Sequence, residues 1–125
     1  MLPEGLAAIV QASTSPFATK VHDVACPRVN FLNGKLFIVG DAQLTLRPNT
    51  GTGTTHAAHD CNRLEEVVQG TITPAQWEKA ILSWNGVQMK FAQVIVSYTL
   101  GTWLGLVWHG FGWLGLLLGQ KLGIM

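Results

Sequence analysis

The sequence predicts a small α+β chain: a β-hairpin, a glycine-cornered loop, a helix entered from that loop, and C-terminal helices. Three observations predict it. Asn33-Gly34 lies between two apolar runs, and this residue pair best tolerates the positive φ angles of a tight hairpin turn. Gly51 and Gly53 follow Pro48 and precede apolar residues at helical spacing. From Phe91 to Gln120 the chain holds no Asp, Glu, Lys or Arg and reads as strongly apolar helix.

At 125 residues there is room for one modest domain. A net charge of +1 with 12% charged residues offers no basic field to a nucleic acid. Cys26 and Cys61 are lone cysteines without CxxC spacing, which points to a reducing compartment rather than a disulfide. Met1 to Val10 lacks the basic start and apolar core of a secretory signal. The expected location is intracellular, cytoplasmic or membrane-associated.

Taken in order, Pro3 to Ala12 should form a short helix with Leu6, Ile9 and Val10 on one side, broken by Ser13 to Pro16. Phe17 to Val24 mixes apolar and polar residues and reads as a strand edge. Arg28–Leu32 and Lys35–Val39 should pair antiparallel across Asn33-Gly34. Leu36, Phe37, Ile38 and Val39 form a buried run of strand formers that Gly40 ends. Asp41 stands where the strand stops, so its carboxylate should face a ligand instead of the core. Pro48 keeps itself and Arg47 out of a helix. Gly51 and Gly53 permit backbone angles and close approaches that other residues resist. A helix then starts at Thr54, with Ala57, Cys61, Leu64 and Val68 as its apolar stripe and Gly70 as its C-cap. Thr73-Pro74-Ala75-Gln76 is a capping box with proline at the first helical position. The helix it opens should turn Trp77, Ala80, Ile81 and Trp84 inward and kink or end at Asn85-Gly86.

Residues 91–120 carry two readings. Their length exceeds the roughly 20 apolar residues that cross a bilayer as helix. Trp103, Trp108 and Trp113 are spaced along them, and Gly101/Gly105 and Gly115/Gly119 have the G-x-x-x-G spacing of close helix contact in lipid. On this reading the stretch is a transmembrane segment with Lys90 and Lys121 near opposite membrane surfaces. On the other, it is a buried helix pair that breaks near Gly110 or Gly112 and folds back on the preceding part. The chain divides accordingly into residues 1–84 and an apolar helical tail, 85–125.

Gly40-Asp41-Ala42, Pro48, Gly51-x-Gly53, Ala57 and Asp60 together resemble the second flavin motif of class A FAD-dependent aromatic hydroxylases. That family's pattern runs G-D-A-x-H, P-x-x-G-x-G and N-x-A-x-x-D-A-x-x-L. The variant GDAQLTLRP is most similar to the dihydroxypyridine hydroxylase-like branch. Agreement is tight over about thirty residues, within 36–64, and looser from Pro16 to Trp84. In the looser part, Pro16-Phe17, Val21 and Asp23 resemble the family's segment before the flavin strand. Leu44 stands where the family has His, Thr55 where it has Asn, and Cys61 where it has Ala.

The resemblance implies an incomplete FAD-binding fold. Residues 1–84 would be the C-terminal part of the FAD-binding domain, because no strand followed by G-x-G-x-x-G is present to hold the ADP half. It implies a FAD-dependent monooxygenase that hydroxylates an aromatic or heteroaromatic substrate with O2 and NADH or NADPH. This chain would supply the flavin-ring side of the site and be inactive alone. The cofactor-binding residues implied are Gly40, Asp41, Pro48, Gly51, Thr52, Gly53, Thr54 and Thr55. Asp41 would accept a hydrogen bond from a ribityl hydroxyl, and Pro48 would border the substrate pocket. Backbone N–H groups of the glycine corner would meet the pyrimidine edge, and the following helix dipole would stabilise negative charge on reduced flavin.

Without the resemblance, Asp41 is a turn aspartate, and the glycine corner is a tight turn capped by Thr52 or Thr54. Arg47 would hold a substrate anion, border the dimethylbenzene side of the flavin, or stand in solvent. His56 and His59 read as a helix-surface pair, since no third metal ligand has matching spacing. Cys61 reads as a small core residue and Asp60 as a residue that caps or braces the loop. The alternative to an enzyme fragment is a catalytically inactive membrane-anchored or interaction protein that keeps the motif only structurally.

Overall fold

The computed structural model describes residues 3–15, 17 and 20–123. Pro16, on which part of the upstream resemblance and the expected break after the first helix fall, lies outside them. The fold is a small α+β arrangement with, among the described residues, four helices and two antiparallel two-stranded sheets. The order is α1 (Glu4–Ala12), β1 (Val24–Ala25), β2 (Asn30–Phe31), β3 (Leu36–Phe37), β4 (Leu44–Thr45), α2 (Gly53–Val68), α3 (Pro74–Thr99) and α4 (Trp103–Lys121). β1 pairs with β4, Val24 opposite Thr45 and Ala25 opposite Leu44.

β2 and β3 pair in the register that Asn33-Gly34 predicts, with Asn30 opposite Phe37 and Phe31 opposite Leu36. Beyond the ladder, Ile38 N–H donates to the Val29 carbonyl at 2.9 Å. The turn is wider than two residues. Leu32, Asn33 and Gly34 all take positive φ, and Lys35 N–H reaches back to the Phe31 carbonyl at 3.3 Å. Glycine is required at position 34 by its φ of 81° and by contact, since a Cβ there would lie 2.8 Å from Pro74 Cγ. The run Leu36–Val39 is neither as long a strand nor as buried as expected. Only Leu36 and Phe37 are strand, Leu36 is exposed and the others are half-buried, because among the described residues no third strand joins the sheet.

The core lies where this hairpin meets α3. Val29, Trp77 and Ile81 are fully buried, and Phe37, Val39, Leu64 and Ile72 are among those that surround them. Phe37 meets Trp77 edge-on, with ring centroids 5.2 Å apart. Glu78, beside Trp77 on α3, accepts the N–H groups of Val29 and Asn30 at 3.0 and 3.1 Å. The capping box opens α3: Gln76 N–H donates to Thr73 Oγ1, and Thr73 N–H donates to the Gln76 side chain. Gly70 ends α2 with the Schellman pattern. Its N–H donates to the Val67 carbonyl, and that of Thr71 donates to the Glu66 carbonyl.

Three expectations are corrected. Asn85-Gly86 neither kinks nor ends α3, which runs unbroken to Thr99, so the boundary between 84 and 85 falls inside a helix. Asn85 is buried and donates from Nδ2 to Gln43 Oε1 at 2.6 Å, a tertiary bond that outweighs its weak helix propensity. Residues 91–120 are not one span and do not break at Gly110 or Gly112. They turn at Leu100–Thr102, where Gly101 takes a φ of 66° and a second Schellman pair forms: Gly101 N–H to Tyr98 carbonyl, Thr102 N–H to Ser97 carbonyl. Gly105 and Gly112, about two helical turns apart, meet α3, so Gly105 of the expected Gly101/Gly105 pair makes the contact without its partner. Gly101 is the turn, and a Cβ on Gly115 would meet nothing within 4 Å.

α4 folds back along α3. Phe91 packs on Trp113 with centroids 5.5 Å apart, and Gln120 Nε2 donates to Ser83 Oγ at 2.9 Å. Among the described residues no helix is long and apolar enough to cross a membrane. The inward face of α2 is set by His56 and Asp60, with Leu64 and Val67 below them. Cys61 and Val68, expected inside, are exposed. Polar pairing rather than apolar character chooses which face of α2 turns inward.

Candidate functional site

An open cleft of about 610 Å³ sits at the entrance to α2. Asp41, Pro48, Gly51, Thr52, Gly53 and Thr54 line it, and Leu46, Arg47, Thr50 and Ala57 complete its wall. Two expected residues do not line it: Gly40 is buried, and Thr55 is exposed outside the wall. A second cleft, of about 460 Å³, lies between α2, α3 and the end of α4 and holds none of the expected residues.

Gly40 takes a φ of 61° and opens a short 3-10 turn through Ala42 that sets the height of Asp41. Gly40 N–H donates to Asp60 Oδ2 at 2.8 Å, and Gln43 Nε2 donates to the same oxygen. Gln43 in turn accepts from Asn85. Three buried polar side chains, one each from the loop, α2 and α3, thus lock the turn in place. Asp60 is the brace that the sequence suggests. The network pairs Asp60 Oδ2 and the Gln43 amide but leaves Asp60 Oδ1 and Asn85 Oδ1 buried without a hydrogen-bond partner among the described residues, which offsets part of what it contributes.

Held on this platform, Asp41 turns outward. Its carboxylate is exposed and has no hydrogen-bond partner among the described residues, and an added Cβ on Gly53 would lie 3.7 Å from its Oδ1. Arg47 is tied down rather than free: its N–H donates to Asp23 Oδ1 at 2.9 Å, and its Nε lies 3.1 Å from Asp23 Oδ2. Pro48–Thr50 forms another 3-10 turn, closed at Gly51 with a φ of 64°. A Cβ on Gly51 would meet no atom within 4 Å, so glycine serves the backbone angle there and leaves the backbone open to the cleft.

α2 begins at Gly53 without a side-chain cap, so neither Thr52 nor Thr54 fills the role that a plain capped turn would need. The first backbone bond at this end is His56 N–H to the Thr52 carbonyl at 3.0 Å. Among the described residues, the N–H groups of Gly53, Thr54 and Thr55 have no protein acceptor. They add to the positive end of the helix dipole at the cleft.

His56 is the site residue that sequence reasoning misplaced. It is buried, not on the helix surface. Trp84 Nε1 donates to its Nδ1 at 3.4 Å, so Nε2 carries the proton and donates to Thr52 Oγ1 at 3.0 Å. Thr52 is 3.0 Å from Thr50 Oγ1, which donates to the Arg47 carbonyl. A chain of hydrogen bonds therefore runs from α3 to the cleft wall. Burial lowers the His56 pKa below its ordinary 6.5, although Asp60 and Asp41 act in the opposite direction. His59 stacks on Trp84 with centroids 4.6 Å apart. The Thr52-x-x-x-His56 spacing was the only sequence signal for this chain.

The cleft has a free acceptor, free backbone donors at a helix start and two glycines without Cβ. Its volume lies in the range of small-molecule sites. Comparison with protein-family models, characterised proteins and solved structures finds no match for this chain. Fold and cleft define it by geometry: a small α+β chain with an open cleft at the N-terminus of a helix.

Proposed function

We propose that this chain supplies the flavin-ring side of the FAD site in a FAD-dependent monooxygenase that hydroxylates an aromatic or heteroaromatic substrate. The part of the chain that carries the cleft is then the C-terminal part of a FAD-binding fold, and NADH or NADPH and O2 are the co-substrates. The observation that supports it is the gathering of Asp41, Pro48, Gly51, Thr52, Gly53 and Thr54 around one cleft at the start of α2. Asp41 is the acceptor for a ribityl hydroxyl. The N–H groups of Gly53 and Thr54 would donate to the electron-rich pyrimidine edge, and the α2 dipole would favour negative charge there. When bound, the flavin supplies the redox and oxygen chemistry, and the protein orients it. Pro48 and Arg47 form the wall on which an aromatic substrate would rest.

Flavin fluorescence titration tests this. The cleft addresses the ring and ribityl end only, so riboflavin and FAD should bind the chain with similar, weak affinity. Asp41→Ala should weaken both about ten- to a hundred-fold, the equivalent of a charge-assisted hydrogen bond. Riboflavin fluorescence that the chain leaves untouched would sink the proposal. A second reading, a protein that keeps the motif only structurally, draws its support from the exposed apolar surface of α3 and α4.

A further inference from the structure

We infer that the tip of the α3–α4 hairpin, residues 91–112, inserts into one leaflet of a phospholipid membrane, with Lys90 at the level of the headgroups. The inference concerns a surface that the flavin reading does not use and stands independently of it.

Depth comes first. Residues 91–112 hold no Asp, Glu, Lys or Arg. At 1.5 Å per helical residue, the tip reaches about 15 Å beyond Lys90, half the roughly 30 Å of a bilayer's hydrocarbon core. Exposure agrees with depth: Tyr98, Leu100, Trp103, Leu104, Trp108 and Phe111 are each more than 70% exposed.

Lipid disfavours a chain reversal that leaves backbone polar groups unpaired. Here the N–H groups of Leu100, Gly101 and Thr102 are paired, while those of Trp103, Leu104 and Gly105, at the uncapped start of α4, have no acceptor among the described residues. The Schellman cap bonds the N–H groups of Gly101 and Thr102. The hydroxyls of Thr99 and Thr102 donate to the Val96 and Ser97 carbonyls at 3.0 and 3.2 Å.

Charge then selects the occupant. No acidic residue follows Glu78, and the only charged side chains beyond it are Lys79, Lys90 and Lys121. The charged side chain at the edge of the uncharged tip is therefore the basic Lys90, which suits lipid phosphates. The Lys90 stem crosses Gly112, its Cδ 3.6 Å from an added Cβ, and the Phe91–Trp113 pair lies at the same level. A long basic side chain and aromatic rings are the residues that settle at headgroup depth.

Flotation of the full chain through a density gradient tests this, using phosphatidylcholine vesicles with and without phosphatidylserine. The wild type should float with both, and more completely with the anionic ones. Leu104→Glu/Trp108→Glu alters only exposed positions and should keep the circular dichroism of the wild type while floating about ten-fold less or worse. Lys90→Glu should still float but lose the preference for phosphatidylserine. Wild type that stays at the bottom of the gradient overturns the inference, as does a double variant that floats equally. A wild-type dimer that the double variant dissociates, without flotation of either, assigns the surface to a second copy instead.

Discussion

His56 shows how one side chain ties the cleft to the rest of the protein. It accepts from Trp84 and donates to Thr52, and the bond from Trp84 needs the neutral ring. Its folded-state pKa is lowered, chiefly by burial, so the unfolded chain binds the proton first as pH falls. Its contribution to stability is therefore complete above about 6.5, declines as pH drops below that value, and is lost once the folded-state pKa is passed. Denaturant midpoints measured across this range should fall with acidification in the wild type, and the His56 share of that fall should vanish in His56→Ala. At neutral pH the same substitution leaves the Trp84 N–H without its acceptor and should cost about 1–3 kcal/mol. At this scale the sequence was readable where local backbone chemistry fixed a position. Asp41 and Asp60 stand where the glycine turn put them, one outward and one inward. His56 and Cys61 were not readable, because a tertiary hydrogen bond, not hydrophobicity, rotates α2.

The elements were legible through their ends. The Asn33-Gly34 register, the Thr73 capping box and the Gly70 cap all rest on local chemistry that a few adjacent residues determine. Interiors were harder. Asn85-Gly86 reads as a helix stop from propensity alone, yet Gln43 lies far away in sequence and rescues Asn85 within α3. The glycines of α4 show the same contrast and allow a test. Gly110 has no atom within 4 Å of an added Cβ, so Gly110→Ala should stabilise by about 0.5–1 kcal/mol through helix propensity. Gly105 faces Ser97 with an added Cβ only 2.8 Å from its Oγ, so Gly105→Ala should gain less or destabilise by prising the helices apart. Urea unfolding of the two variants separates packing from propensity; equal effects would show that α3 and α4 do not meet closely at Gly105.

At the scale of the whole molecule, the chain is organised around the middle of α3. Trp77, Ile81, Asn85 and Val87 are buried, and the other parts reach that stretch by separate routes: the hairpin through Phe37 and Glu78, the cleft loop through Gln43, α2 through Trp84, and α4 through Ser83 and Gly86. The α+β class was legible because its strands and helices announce themselves locally. The convergence on α3 was not, because it depends on contacts between distant residues. The convergence also has a kinetic meaning. Backbone amides from Trp77 to Val87 are released only when everything around them lets go, so their hydrogen exchange should be the slowest in the chain and report global unfolding. α1, whose Leu6, Ile9 and Val10 are exposed, should exchange by fraying. The centre of α3 thereby becomes an internal gauge of occupancy. A flavin that binds only the native cleft must slow those remote amides by the factor by which it raises global stability, though it touches none of them. Slowing confined to the amides near Gly51–Thr54, with the gauge unmoved, would mark a ligand that shields the loop without favouring the folded chain.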